Sequence, residues 1–163
     1  MGVYGQTKAA GDQLVAGLPR HYIVRTSWVI GDGRNFVATM RSLADKGIEP
    51  MVVDDQIGRL SFADEIARGI AHLVSTRPAY GIYNLSSDGT SRSWADLARS
   101  IFVARGRSAD DVTPVSTETY GAGRQLAPRP RHSTLDLTKI KATGFEPVDA
   151  DRALADYLER LDR

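Results

Sequence analysis

The sequence predicts an α/β protein in which at least part of the sheet is parallel. Amphipathic helical stripes alternate along the chain with short apolar runs of strand length. Two of the helical stripes open on a serine and an aspartate at capping-box spacing, Ser61 with Asp64 and Ser93 with Asp96. These two observations justify the helices and strands that follow, taken in chain order.

The first helix is predicted over Lys8–Leu18, because Pro19 follows where such a helix should stop. The stretch HYIVRTSWVIG, residues 21–31, is predicted as a buried strand. The next helix, Asn35–Lys46, ends just before Gly47, a position that favours glycine. Its expected core stripe consists of Phe36, Val37, Met40, Leu43 and Ala44.

In the middle of the chain a short strand, MVVDD at 51–55, leads to a turn at Gly58. The helix over 61–74 is expected to begin with the Ser61 capping box. Its predicted buried face consists of Ile66, Ala67, Ile70, Ala71 and Val74. GIYNLS, residues 81–86, is predicted as another strand.

The last third of the chain begins with a helix capped by Ser93. Its predicted core face consists of Trp94, Leu97, Ala98, Ile101 and Phe102. DVTPVST, residues 111–117, is extended, and Pro114 favours an edge position. Glycine and proline make 120–133 a loop. The final predicted helix carries the apolar residues Leu154, Tyr157, Leu158 and Leu161.

Composition narrows the possible functions. The 163 residues are 42% hydrophobic and 25% charged with a net charge of +1, the profile of one compact domain. The absence of basic runs argues against nucleic acid or an anionic membrane surface as a partner. Cysteine is absent and the three histidines are scattered, so no metal site is expected. With no long apolar run or leader, a cytoplasmic location is expected.

Tyr4 and Lys8 have the spacing of a catalytic pair. Residues four apart lie side by side on a helix, so the Lys8 ammonium would be near the Tyr4 phenol. A positive charge beside a phenol favours its ionised form, which suits proton exchange with a carbonyl or hydroxyl oxygen during hydride transfer. By spacing alone, two amphipathic residues on a solvated helix face explain the pair equally well.

Five longer segments carry a resemblance to a known family. They are VYGQTKAAGD, RTSWVIGDGRNFVATM, VVDDQIGRLSFADEIARGI, GIYNLSSDGTSRSWADLARSIF and LAPRPRHSTLD, in this order. From Val3 to about Leu161 the chain resembles the C-terminal part of dTDP-4-dehydrorhamnose reductases, which are extended short-chain dehydrogenases/reductases. R-T-S-W, D-Q-x-G and A-P-R-P-R are the most diagnostic pieces. Such enzymes use NADPH, or in some members NADH, to reduce the 4-keto group of a dTDP-sugar and form dTDP-L-rhamnose.

The resemblance implies roles for individual residues. Tyr4 would donate the proton, and Lys8 would assist it and hold the cofactor ribose. Thr26 and Ser27 would lie near the nicotinamide, and Trp28 would pack against the sugar, with a core tryptophan as the alternative. Candidates for binding the diphosphate are Asn35, Arg129 and Arg131, while Gln56 is a candidate for the sugar or base. Turn formation explains Asp54 and Asp55 as well as binding does.

The resemblance also implies that half of the enzyme is absent. No G-x-x-G-x-x-G turn follows a strand to hold a cofactor pyrophosphate. The Ser or Thr of the catalytic triad would stand about two dozen residues before Tyr4, which only three residues precede here. Residues 1–34 would be a remnant of the Rossmann domain with the catalytic helix. Residues 35–163 would be mainly the substrate-binding lobe, with interleaved Rossmann elements, in a doubly wound fold.

Three functions stay open from the sequence. The reductase is favoured, although the isolated chain would be inactive because it cannot seat a hydride donor alone. A sugar-nucleotide epimerase or dehydratase of the same superfamily is the second. A non-catalytic nucleotide-sugar-binding or regulatory module is the third. Apolar surface that a missing half should cover predicts that the chain self-associates.

Overall fold

The computed structural model of the chain describes residues 2–123 and 125–163. It is an α/β structure, as the sequence predicts. The helices are α1 (Val3–Ala16), α2 (Phe36–Asp45), α3 (Ala63–Thr76), α4 (Trp94–Ala104), α5 (Thr117–Gly121), α6 (Thr138–Lys141) and α7 (Ala150–Leu161). The strands are β1 (Tyr22–Arg25), β2 (Val29–Ile30), β3 (Met51–Val53), β4 (Ile57–Gly58), β5 (Ser61–Phe62), β6 (Gly81–Asn84), β7 (Arg92–Ser93) and β8 (Thr113–Val115).

Most strand pairs are parallel. β1 pairs with β6, β2 with β5 and β3 with β8 in parallel, whereas β4 and β7 are antiparallel. The single strand expected over 21–31 is therefore two strands. Trp28 between them has φ of +49°, a left-handed conformation that breaks an extended run. As Pro114 predicted, β8 pairs with β3 alone among the described strands.

α2 and α4 each begin with a side-chain cap and bury one face. The Asn35 side chain accepts from Ala38 N and starts α2, and Gly47 follows the helix with φ of +70°. Ser93 and Asp96 form the predicted capping box of α4. Five residues of α4 are buried: Ala95, Leu97, Ala98, Ile101 and Phe102. The predictions for these two helices are confirmed.

The prediction for α3 is wrong at both its start and its buried face. Ser61 lies in β5 rather than capping α3, and its hydroxyl donates to the Ser27 carbonyl at 2.5 Å. The buried residues of α3 are Glu65, Gly69 and Leu73. Of the predicted face, Ile66 packs against the smaller cluster and is partly buried, while Ile70 and Val74 are 43% and 61% exposed. Gly69 permits the contact, because a Cβ there would collide with Leu85. The spacing of apolar residues in the sequence could not predict the buried face of α3, because two of its three residues, Glu65 and Gly69, are not apolar.

The buried side chains form two clusters. The larger one lies between α2, α4 and α7, with residues of β2, β3 and β5. The smaller one joins Leu73 of α3 to Tyr83 of β6, Leu85, Leu137, Ile140 of α6 and Phe145. α1 belongs to neither cluster and has no buried residue. It begins at Val3 and ends at Ala16, earlier at both ends than the sequence predicts.

Candidate active site

The segment after β1 is held in place by hydrogen bonds from two other parts of the chain. The Ser27 hydroxyl donates to the Ser133 carbonyl at 2.9 Å. Ser61 N donates to the Trp28 carbonyl at 3.0 Å, next to the pairing of β2 with β5. Residues at the carboxyl ends of parallel strands line the ligand crevice of open α/β sheets. Thr26 and Trp28 lie at such an end, where Thr26 is exposed and Trp28 is half-buried.

Trp28 lies in an aromatic cluster rather than on an open surface. Its ring stacks on that of Trp94, with centroids 3.7 Å apart and planes at 17°. Phe36 packs against Trp94 with centroids 4.5 Å apart. Gly58 lies so close to the indole that a Cβ there would be 2.7 Å from Cε2. Trp28 packs against the larger cluster, as the core alternative expects, and keeps part of its surface exposed, while its contact with a sugar stays a prediction.

The turn between β3 and β4 is tied to two neighbouring segments. Asp54 accepts from the Ser93 hydroxyl at 2.6 Å, which joins the turn to the start of α4. Asp55 accepts from Thr117 N at 2.9 Å and from its hydroxyl at 2.5 Å. The Thr117 hydroxyl is the main reason that the pKa of Asp55 is lowered, and the Arg131 charge contributes. Both aspartates therefore hold the scaffold together.

Gln56 lies in the same turn and uses one end of its amide internally. Its Nε2 donates to the Thr117 hydroxyl at 3.0 Å. Among the described residues, no donor to its amide oxygen is found. That oxygen can accept a hydrogen bond from a ligand.

The loop that carries Arg129 and Arg131 docks beside β4 through its backbone. Ile57 N donates to the Arg131 carbonyl at 2.7 Å, and Ser133 N donates back to the Ile57 carbonyl at 2.8 Å. Both arginine side chains are exposed, and neither forms an ion pair with any residue in 2–123 or 125–163. The backbone thus fixes the loop while the guanidinium groups stay available to an anion.

Asn35 is differently placed from the two arginines. Its Nδ2 donates to the Gly31 carbonyl and to the Tyr157 hydroxyl, both at 2.7 Å. Its oxygen accepts from Ala38 N at 3.0 Å. These contacts hold the start of α2 against α7, so the amide has little capacity left for a diphosphate.

Tyr4 and Lys8 lie one turn apart on α1, as a catalytic pair requires. Tyr4 is 76% exposed, and Lys8 is exposed as well. α1 is joined to β1 by the ion pair between Asp12 and Arg25, whose charged atoms are 2.8 Å apart. Arg25 is the first residue of the R-T-S-W segment, so this ion pair links the helix to the segment that ends in Trp28.

Sequence reasoning missed four residues that build this site: Gly58, Thr117, Ser133 and Trp94. Gly58 was interpreted only as a turn residue and Thr117 as part of an extended segment, while Trp94 was assigned to the core alone. The available signal was the repetition of S-W, once after β1 and once before α4, together with the glycine of D-Q-x-G.

The residues present fit one end of a nicotinamide cofactor. Tyr4 and Lys8 offer a phenol and an ammonium on one exposed helix face, suited to a ribose and a carbonyl. The G-D-G turn at 31–33, which joins β2 to α2, lacks the G-x-x-G-x-x-G spacing that would hold the pyrophosphate, and no turn of that spacing joins a strand to a helix in the described chain. Among residues 2–123 and 125–163, no three acidic or histidine side chains gather as a metal site, and no helix is long and apolar enough to cross a membrane.

Comparison with known proteins gives a consistent result. The family described as RmlD substrate binding domain matches residues 1–163. The dTDP-4-dehydrorhamnose reductase of Aggregatibacter actinomycetemcomitans is 40% identical over 163 residues, covering 93% of this chain and 55% of that protein.

Solved structures agree with this match. A crystal structure of dTDP-4-dehydrorhamnose reductase from Bacillus anthracis in complex with NADP has a TM-score of 0.85 at 36% identity, covering 96% of this chain and 55% of that one. The reductase ortholog from Clostridium acetobutylicum has a TM-score of 0.87 at 34% identity, covering 98% and 56%. The chain spans about half the length of the relatives it matches. It belongs to the RmlD substrate-binding domain family, and its α/β fold is that of the corresponding part of these Rossmann-like proteins.

Proposed function

We propose that this chain is the substrate-binding and proton-donating part of an NAD(P)H-dependent reductase. The reaction is reduction of the 4-keto group of dTDP-4-dehydro-L-rhamnose to the hydroxyl of dTDP-L-rhamnose. One observation carries the proposal: the segments R-T-S-W, D-Q-x-G and P-R-P-R-H-S, distant in sequence, are hydrogen-bonded into one site around Trp28. A chain that only shared the fold would not need these three segments to meet.

In the proposed reaction Tyr4 supplies the proton. A bound nicotinamide would supply a hydride to the carbonyl carbon, and the carbonyl oxygen would take up the displaced electron pair as an alkoxide. The Tyr4 hydroxyl donates its proton to that oxygen, so the product leaves as a neutral alcohol. The Lys8 ammonium, one turn along α1, favours the resulting phenolate and donates to the cofactor ribose.

The remaining candidate residues orient the two ligands. Thr26, exposed at the end of β1, lies on the nicotinamide side, and Ser27 fixes the segment through Ser133. Trp28 contacts the sugar, and Gln56 offers its amide oxygen to the sugar or base. Arg129 and Arg131 neutralise the diphosphate with guanidinium groups whose fork matches phosphate oxygens. Asn35 contributes indirectly, by fixing α2.

The division of the chain follows from the same proposal. Residues 1–34 carry the catalytic helix and the first strands of the cofactor-binding domain, and 35–163 form mainly the substrate lobe.

Val3, Leu14 and Leu18 are 75%, 81% and 59% exposed, and α1 buries nothing. The apolar surface of α1 and α3 favours self-association of the isolated chain. Sedimentation velocity at increasing concentration tests this: a monomer at the highest concentration contradicts it.

Binding to the 163-residue chain tests the substrate lobe. By titration calorimetry, dTDP-L-rhamnose and dTDP should bind, whereas NADPH should bind weakly or not at all. Arg129→Gln and Arg131→Gln should each lower the affinity for dTDP by about tenfold, the loss expected for one charge-assisted hydrogen bond. Arg20→Gln is the matched control. Arg20 is exposed and lies just before the start of β1, away from the proposed site, so this variant should bind dTDP like the original chain.

Catalysis is tested in the protein purified from its native cells, whose mass also shows whether it is longer than this chain. Tyr4→Phe should lose at least about a hundredfold in kcat while dTDP-sugar binding is kept. Unchanged turnover would overturn the role of Tyr4. Epimerised or dehydrated products would instead identify a sugar-nucleotide epimerase or dehydratase.

A second candidate function is a non-catalytic nucleotide-sugar-binding or regulatory module. The observation that favours it for the isolated chain is that α1, which carries Tyr4 and Lys8, has no buried residue. If the native polypeptide has the 17.8 kDa mass of this chain and binds dTDP-sugar without turnover, this function replaces the reductase. The choice between NADPH and NADH and the cytoplasmic location stay predictions.

A further inference from the structure

Three features of the Trp28 environment point beyond its contact with the sugar. Trp28 has a left-handed backbone, with φ of +49°, which is uncommon for a bulky residue and persists only where the surroundings impose it. Its ring stacks on Trp94 at 3.7 Å. Gly58 approaches three atoms of the same ring, and a Cβ there would lie within 2.9 Å of each.

We propose that Trp94 and Gly58 are positioning residues that hold the Trp28 indole in the orientation the sugar meets. This inference rests on the proposed function, because it takes the contact between Trp28 and the sugar as given. It assigns a binding role to Trp94, which the sequence pattern assigned only to the core, and to Gly58, which it assigned only to a turn.

Trp94 is itself fixed from two sides. It is the first residue of α4, directly after Ser93, whose capping box with Asp96 encloses it. Ser93 is bonded to Asp54, and Phe36 packs against the Trp94 ring. A ring held in this way gives Trp28 a rigid surface to stack on, so the orientation of Trp28 is set before the ligand arrives.

Gly58 is brought to the indole by the pairing of β4 with β7. Gly58 pairs with Arg92, two residues before Trp94, so the glycine and the tryptophan reach the Trp28 ring from adjacent positions. The distances from an added Cβ to Cε2, Cδ2 and Cζ2 are 2.7, 2.9 and 2.9 Å, too short for an alanine to be accepted without moving the ring. The glycine of D-Q-x-G is therefore required by ring contact.

What remains for the ligand is the uncovered part of the indole. Trp28 is half-buried. Its indole N–H does not belong to the polar groups that are both fully buried and unpaired. No acceptor for that N–H is found within 2–123 or 125–163. A sugar hydroxyl is the acceptor that the N–H would take, which makes the contact directional as well as apolar.

The test compares a sugar nucleotide with the nucleotide alone, in the 163-residue chain. Because Trp28 contacts the sugar, Trp94→Leu should lower the affinity for dTDP-L-rhamnose by about tenfold, the value of an aromatic pair, and leave the affinity for dTDP unchanged. Trp94→Phe keeps a flat ring and should bind dTDP-L-rhamnose within about twofold of the original chain. Gly58→Ala should produce the same sugar-selective loss as Trp94→Leu.

Circular dichroism supplies a readout that does not depend on binding. Trp28 and Trp94 are the two tryptophans of the chain, so the exciton signal of a stacked indole pair reports this contact alone. It should be lost in Trp94→Leu and Trp94→Phe and changed in Gly58→Ala. Retention of the full signal in Gly58→Ala would overturn the role of Gly58.

The two possible failures are distinguishable. If the original chain binds neither dTDP-L-rhamnose nor dTDP, the proposed function fails. If the original chain binds both and folded Trp94→Leu binds dTDP-L-rhamnose equally well, the positioning role is wrong. Should Trp94→Leu not fold, Gly58→Ala decides, and unchanged affinity for dTDP-L-rhamnose in that variant overturns the inference.

Discussion

Two helices of similar length, α1 and α4, have opposite environments. α4 has 11 residues, starts with a complete capping box and buries five side chains. α1 has 14 residues, has no side-chain cap and buries none. An isolated helix shorter than about 15 residues is marginal in water, and tertiary packing provides most helix stability in proteins. The part of the chain that packs around α4 is thus the stable part, while Tyr4 and Lys8 lie on a helix with no buried residue.

The largest expected effect is the loss of a core side chain from α4. Phe102 is fully buried, so Phe102→Ala should lower the free energy of unfolding by about 3–5 kcal/mol in urea denaturation. Leu14→Ala in α1 is the matched control. Leu14 is 81% exposed, and its loss should change the free energy of unfolding by less than about 0.5 kcal/mol. Equal losses would show that α1 is packed as well as α4.

The same contrast explains which elements the sequence could predict. α2, α4 and α7 each have an apolar stripe that faces the larger cluster, so periodicity marks Val37, Ile101 and Leu158 correctly. α3 packs through Glu65 and Gly69, and neither residue carries an apolar signal. Ile70 and Val74 form an apolar stripe that nothing in the described chain covers. Periodicity reports which face is apolar, not whether a partner is present.

The site was predictable in part for a similar reason. Motifs indicated which residues matter, and R-T-S-W led to Thr26, Ser27 and Trp28. The contacts between motifs depend on tertiary structure, and they change the interpretation of Asn35 from a diphosphate candidate toward a helix cap. Short elements such as α5 and β7 were missed because their few residues carry no periodic pattern.

A smaller effect is expected from the cap that fixes Trp94. Ser93→Ala removes the acceptor for Asp96 N and the donor to Asp54, and should lower the free energy of unfolding by about 1 kcal/mol. Ser93→Thr keeps a hydroxyl and should recover most of that loss. Thermal unfolding followed by circular dichroism measures both variants. Equal stability of Ser93→Ala and the original chain would show that the link between the turn and α4 is dispensable.

The turn of Asp55 should respond to pH. The Thr117 hydroxyl holds the pKa of Asp55 below its ordinary value of 3.8, so the carboxylate stabilises the fold above that pH. The contribution is lost as the pH falls through the lowered pKa. Asp55→Asn keeps an amide oxygen as acceptor. Its free energy of unfolding at pH 7 should therefore be lower than that of the original chain by less than about 1 kcal/mol.

The difference in the free energy of unfolding between Asp55→Asn and the original chain should disappear in acid. Urea unfolding at several pH values below 5 measures it. Asp156→Asn, an exposed residue of α7, is the control that removes one charge without touching the turn. A difference that persists at the lowest pH would mean that the ionised Asp55 is not what stabilises the turn.

The smallest effect on stability is expected at the link between α1 and β1. Arg25 is about half exposed, so Arg25→Gln should change the free energy of unfolding by less than about 1 kcal/mol. Hydrogen exchange of the amides in α1 should nevertheless become faster, because the Asp12–Arg25 pair is a main contact that holds this helix against β1. Unchanged exchange in α1 would show that other contacts hold it.

The most direct measurement is hydrogen exchange of the 163-residue chain with and without saturating dTDP-L-rhamnose. The segments that meet at Trp28 are hydrogen-bonded together without a ligand, so binding should slow exchange in 26–28, 54–58 and 125–133. Exchange in α1 should stay fast, since this helix has no buried residue. Absence of protection in all three segments, or protection confined to α1, would contradict the account.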